Sequence, residues 1–250
     1  MSVSIEFDHH NETVENGQGM RRLELLGLDE QLRDPADRRV FFGAMTDDDY
    51  TRMTGYVNSI TRGQPIDYGY YKSHVGPIHT PALEDKDPLM REALQAVRNI
   101  LSEPQLDDRV ALRRAGLTMA GADNYVHAKI DGNGRMGRVK HYLIEFGTER
   151  GPQAFEEELY AIIGGHKQYE TDTCQALYNT PPTAVYSALG EVIKMRNPDW
   201  ALMTKREFAA MRVRTFLEMM QGTTTVPVMG DVTWAALSKR RWQYFNPYGN

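Results

Sequence analysis

Residues 127–138 read HAKIDGNGRMGR, a short stretch crowded with groups suited to handling phosphate. Gly132-Asn133-Gly134 stands just before a segment, 135–146, in which Met136, Val139, Leu143 and Phe146 recur at helical spacing, and Gly147 then supplies a stop. The turn is therefore expected at a helix N-terminus. Unpaired backbone N–H groups and the positive end of the helix dipole gather there, and two glycines remove side chains that would keep an anion away. Arg135 and Arg138 are three residues apart, so they project from neighbouring points on the first turns, where guanidinium groups can grip phosphate oxygens in pairs. Asp131 beside that anion is an oxygen ligand of the kind Mg²⁺ on a polyphosphate takes. His127 lies four residues earlier, and an imidazole with an ordinary pKa near ~6.5 suits a general base at neutral pH.

Each part alone is ordinary. An Asp-Gly-Asn-Gly sequence is a common turn, two arginines usually mark a solvated helix face, and a histidine before a turn is more often structural than catalytic. Together, the seven positions have a chance probability of roughly 10⁻⁹ per starting residue at average residue frequencies, which 250 starting points do not overcome.

The elements that must position these residues are mostly helical. Residues 46–62 open with Thr46 as N-cap and three aspartates in the first turn, and Tyr50, Met53, Val57 and Ile60 share a face before Gly63. Asp87-Pro88 reads as an N-cap and first helical residue for 88–102, with Leu89, Ala93, Val97 and Ile100 on one side. In 109–122, Leu112, Ala115, Met119 and Ala122 form a stripe, while Ala115, Gly116, Ala120 and Gly121 would admit another helix closely. Further helices are expected at 155–163, 166–178, 182–196, 205–221 and 232–242, the segment 205–221 beginning with the box Thr204…Glu207 and ending at Gly222. Between helices, 68–80 alternates Tyr, Val, Ile and Thr with polar residues around Gly76-Pro77 and reads as a short hairpin. The expected fold is all-α with one isolated β-hairpin, in a single domain with no internal repeat.

Composition narrows the partners. A net charge of −5 argues against a broad nucleic-acid surface, which needs clustered basic excess, and leaves room for a small anion site. The basic run SKRRW at 238–242 reads as a solvated helix face, and the aromatic tail after it as chain packed back on the domain. Cys174 is the single cysteine, so no internal disulfide forms and a reducing compartment suits the chain. The start MSVSIEFDHHN carries no basic region followed by an apolar run, and no apolar stretch approaches the ~20 residues of a membrane span. A cytoplasmic protein without membrane partners is expected; delivery by a specialised secretion machine would leave no trace of this kind. His9-His10 lacks further ligands at metal-binding spacing.

HAKIDGNGRMGR resembles the signature of the Fic family, H-P-F-x-[DE]-G-N-G-R-x-x-R, and YYKSHVGPIHTP with the helix after it resembles that family's flap and following helix. The likeness covers about 46–196, leaving 1–45 as an N-terminal segment and 197–250 as a helical extension. It implies an α-helical bundle with the motif between two central helices and a β-hairpin flap over the active site. It also implies transfer of AMP from Mg-ATP to a Tyr, Ser or Thr hydroxyl of a target protein, self-modification included. By the same likeness His127 would be the base, Asp131 the Mg²⁺ ligand, Gly132, Asn133 and Gly134 the α-phosphate cradle, Arg135 the β-phosphate ligand and Arg138 the γ-phosphate ligand. Gly134 separates the chain from the Doc kinases, which carry lysine there. Lys72, Ser73, His74 and Val75 would dock the target by strand addition. NETVEN at 11–16 is similar to the family's inhibitory pattern [ST]-x-x-x-E-[GN], which would make Glu15 the residue that blocks the γ-phosphate site, with Asn11 standing where Ser or Thr is usual. Two positions depart from the signature: Ala128 stands for proline, and Lys129 for a phenylalanine that anchors the loop in the core. Those departures leave two alternatives, a nucleotide-binding module without catalysis and an enzyme using another nucleotide donor or a small-molecule acceptor.

Overall fold

Small residues crowd one side of 109–122, and the computed structural model of the protein, which describes residues 28–62, 74–75, 78–127, 133–151 and 182–222, shows what they admit. In chain order the described helices are α1 (Leu28–Arg33), α2 (Pro35–Gly43), α3 (Asp47–Arg62), α4 (Leu83–Leu101), α5 (Asp108–Val126), α6 (Asn133–Glu145), α7 (Pro182–Arg196) and α8 (Lys205–Met220), with a 3₁₀ turn at Trp200–Leu202. The two-residue strands β1 (His74–Val75) and β2 (Ile78–His79) pair antiparallel, Val75 opposite Ile78 and His74 opposite His79. The protein is mostly helical, in agreement with an all-α class. The helices expected at 155–163, 166–178 and 232–242, the N-terminal pattern 11–16 and the pair His9-His10 lie outside the described residues, as does the basic run 238–242 with the tail after it.

Helices α5 and α6 form the centre and run antiparallel: Gly137 of α6 meets Ala120 of α5, Lys140 meets Asp123, His141 meets Gly116 and Glu145 meets Arg113. Missing side chains set this distance. A methyl group on Gly116 would come within 2.6 Å of His141 Cδ2 and 3.1 Å of His141 O, and one on Gly121 would run into the Phe216 ring of α8. The expected stripe of Leu112, Ala115, Met119 and Ala122 is buried, and α4 packs against it with Leu89, Ala93, Val97 and Ile100. Outside the 46–196 stretch, α2 and α8 add Phe42, Phe216 and Met220 to the same apolar cluster. β2 lies alongside α8.

Several ends form as the residues dictate. Thr46 and Asp49 cap α3 reciprocally, Asp49 N–H donating to Thr46 Oγ1 at 3.1 Å and Thr46 N–H to Asp49 Oδ2 at 3.0 Å. The Thr204–Glu207 box opens α8, and hydrogen bonds from the Thr204 backbone N–H, first, and its hydroxyl hold the Glu207 carboxyl below its usual pKa. Gly147 follows α6 with φ +51, a conformation costly for any side chain. Arginines close the C-termini of three helices: at the same end of α6 buried Arg38 donates to Ile144 O at 3.1 Å and Glu145 O at 2.8 Å, Arg39 donates to Leu101 O of α4 at 2.6 Å, and Arg114 to Met220 O of α8. Burial pushes the Arg38 guanidinium below its ordinary pKa, against the opposing pull of Glu149.

Two boundaries differ from the sequence expectation. α6 begins at Asn133 and ends at Glu145, so Gly134 and Arg135 are already helical and Phe146 is not. α4 begins at Leu83, five residues before Pro88, so Asp87-Pro88 is not its cap. Pro88 sits inside the helix, where it removes the hydrogen bond to the Glu84 carbonyl. The turn before it is tied down instead by a tertiary contact of Lys86.

Because a methyl on Gly116 would collide with His141 of α6, Gly116→Ala should lower the unfolding free energy by ~1–3 kcal/mol. At about 2–4 °C per kcal/mol for a chain of this size, a thermal melt resolves it. An unchanged melting temperature would mean that the two helices do not meet there.

Candidate functional site

An antiparallel α5–α6 pair brings the C-terminus of one helix and the N-terminus of the other to the same end of the bundle. His127 ends α5, and Asn133 opens α6. Five residues, 128–132, separate them, and Asp131 and Gly132 among them lie outside the described residues. The backbones of Asn133, Gly134, Arg135 and Arg138 fall in the first two turns of α6, so the N–H groups of the first turn have no intrahelical acceptor. Nothing is described of those four side chains. His74 and Val75 make up β1, while Lys72, Ser73 and Glu15 are outside the described residues.

His127 has φ 51 and ψ 52, and among the described residues it is the one non-glycine with positive φ. That left-handed conformation costs roughly 1–2 kcal/mol for a side-chain-bearing residue, and two contacts maintain it. Its N–H donates to Asp123 O at 3.2 Å. Its carbonyl accepts from Lys86 Nζ at 2.8 Å, bringing the start of α4 onto the end of α5. Lys86 is only 5% exposed, and burial, with the positive charge of Arg206 second, pushes its pKa below the ordinary lysine value.

One turn beneath His127, Asp123 and Lys140 form an ion pair with both side chains at 0% exposure, Nζ standing 2.8 Å from Oδ2 and 3.1 Å from Oδ1. Lys140 also donates to Tyr50 OH at 2.6 Å, and that hydroxyl donates to Met119 Sδ at 2.9 Å. Thus α3, α5 and α6 are cross-linked immediately below the histidine. A methyl on Gly137 would come 3.2 Å from Ala120 O and 3.4 Å from Asp123 Cβ, so the backbones are also close here. A second buried set, His141 Nε2 with Glu145 Oε2 at 2.5 Å and Arg113 Nε with Glu145 Oε1 at 3.3 Å, joins the helices at the far end. Burial lowers the Arg113 pKa, with Glu145 opposing.

Asp123 is paired with Lys140. Among the described residues no group of three His, Cys, Asp or Glu side chains could hold a metal. Asp85, next in sequence to Lys86, lines an open groove of about 460 Å³ with Leu202, Met203 and Met211. The charged groups beside them have local tasks: Arg214 pairs with Glu92 at 3.0 Å, and Glu207 caps α8. No helix among the described residues is long and apolar enough to cross a membrane.

A scan of protein-family models finds none that matches this chain, and neither the curated proteins nor the solved structures return a match. The chemistry of the site therefore rests on its own residues.

Lys86, Asp123, Lys140 and Tyr50 were not singled out as site residues by the sequence. The available signal was a charged residue inside an apolar stripe: Asp123 follows Ala122, and Lys140 stands beside Val139. Breaking a buried ion pair strands a charge, so Asp123→Leu or Lys140→Met alone should cost ~3–5 kcal/mol in chemical denaturation. The double substitution should recover most of that loss. Additive losses would show that the two groups do not interact.

Proposed function

We propose that this protein is a Fic-type adenylyltransferase that moves AMP from Mg-ATP to a Tyr, Ser or Thr hydroxyl of a target protein. The observation that carries the reading is that His127 ends α5 and Asn133 opens the antiparallel α6, with five residues between them, in a sequence that resembles the Fic signature. Backbone N–H groups at Asn133 and Gly134 supply fixed positive dipoles for an α-phosphate, with the Asn133 amide as an added donor. Arg135 and Arg138 take the β- and γ-phosphates, where negative charge builds as pyrophosphate departs. Mg²⁺ bound with the nucleotide, and held by Asp131, supplies charge neutralisation.

His127 accepts the proton of the incoming hydroxyl as its oxygen bonds to the α-phosphorus. The bond from that phosphorus to the bridging oxygen breaks, pyrophosphate leaves, and the imidazolium returns its proton to solvent. The β1–β2 pair acts as the flap, and residues 72–75 offer a strand edge to the target segment. Glu15 is the candidate inhibitor of the γ-phosphate position. Gly134 keeps the nucleotide oriented for nucleotidyl rather than γ-phosphoryl transfer. The bundle core follows from the same reading, with α5 and α6 as the two central helices. A cytoplasmic location, or delivery as an effector, fits an enzyme that uses ATP.

Incubation of the purified protein with α-labelled ATP, UTP or GTP, Mg²⁺ and a lysate tests this directly. The expected result is label transfer from ATP that His127→Ala reduces by ~10²–10⁴-fold while ATP still binds. Transfer from a different nucleotide would change the donor, and binding without transfer would leave a nucleotide-binding module in place of an enzyme.

A further inference from the structure

We propose that Lys86 is a positioning residue for His127: from the start of α4 its ammonium holds the histidine's main-chain carbonyl and so fixes the direction in which the imidazole is presented. This rests on the adenylyltransferase reading for its catalytic consequence, but the contact itself does not.

The first turn of α4 carries Glu84 and Asp85, which favour the helix dipole, but its capping is incomplete. Ala82 at the N-cap makes no side-chain hydrogen bond, and Pro88 removes the bond that would tie the helix to Glu84. Serine, threonine, asparagine or aspartate at 82 would be the ordinary way to start such a helix. The contact observed at this end instead is the 2.8 Å bond from Lys86 Nζ to His127 O. It spans 41 residues of sequence and joins the entry of one helix to the exit of another.

The bond holds two helix ends, but the cost of burying the Lys86 ammonium offsets what it contributes to stability. Its side chain is buried, no carboxylate among the described residues pairs with it, and the neighbouring charge that acts on it is the like charge of Arg206. An ammonium in such surroundings is costly to bury, and a methionine of similar length would fill the space without that cost. A simple cap of α5 would not need a lysine either, since glycine or asparagine adopts the left-handed conformation with less strain. What the lysine adds is direction. A residue with φ 51 and ψ 52 whose N–H is tied to Asp123 and whose carbonyl is tied to Lys86 cannot rotate either adjoining peptide plane freely. The Cα–Cβ bond that aims the imidazole is fixed with them, and Asp123 is itself held by Lys140.

The test compares wild type, Lys86→Met and Lys86→Arg in ATP-dependent label transfer, ATP binding, thermal melting and NMR of ¹⁵N-labelled imidazoles, the His127 signal being assigned by its loss in His127→Ala. Positioning predicts that Lys86→Met lowers kcat by ~10–100-fold with the KM for ATP unchanged, that its melting temperature stays level or rises, and that the His127 signal moves without nucleotide present. Lys86→Arg, which keeps a donor, should recover much of the rate, and Lys86→Met added to His127→Ala should cost nothing more. A wild-type rate with an unmoved His127 signal would overturn the proposal. So would a lowered melting temperature with all histidine signals shifting together, the mark of a merely structural role. If the wild type transfers no label, the adenylyltransferase reading fails by itself, and the imidazole signal still decides whether Lys86 aims His127.

Discussion

The close approach of α5 to α6, over Gly116, Ala120 and Gly137, sets where everything else in the structure lies. Because the helices are antiparallel, their contact places the carbonyl end of one beside the amide end of the other. The negative end of α5 then needs donors and the positive end of α6 needs an anion. The chain answers the first demand itself, with the Lys86 ammonium on His127 O. On the proposed reading the second is met by the phosphates of the nucleotide. At the opposite end of the pair the polarity is reversed, and Arg38 supplies the donors for the last carbonyls of α6.

Charge buried in this core is a matter of register more than of stability. Asp123–Lys140 and Arg113–Glu145 lie at the two ends of the α5–α6 contact, each joining one helix to the other. A slide of one turn would separate both pairs inside an apolar core, at a cost of several kcal/mol per stranded ion. Gly116 and Gly137 allow the approach, and the two ion pairs allow one version of it. That single register is what keeps His127 opposite the start of α6.

Helix faces were legible because their periodicity is local. Leu89, Ala93, Val97 and Ile100 are buried as their spacing implied, the Thr204–Glu207 box forms, and Gly147 and Gly222 both carry positive φ after their helices. The same local signal misled at Asp87-Pro88. Asp34-Pro35 shows the difference: there Asp34 caps Ala36 N–H at 2.8 Å and Asp37 N–H at 3.3 Å, directly after α1 ends. At Asp87 the chain is already helical, tied down by Lys86 across 41 residues. No window on the sequence contains that contact. For the same reason the Asp123–Lys140–Tyr50 cluster was invisible, its members lying on three helices. Of the site, the helix start at Asn133 and the small residues of the α5–α6 contact could be read from residue types, whereas the clamp on His127 could not.

A crystal structure with Mg²⁺ and a nonhydrolysable ATP analogue measures the central claim most directly. The account predicts phosphate oxygens within hydrogen-bonding distance (about 3 Å) of the backbone amides at the start of α6, with the α-phosphate nearest the His127 imidazole. A nucleotide bound elsewhere, or phosphates at α6 with the His127 ring turned away from them, would contradict it.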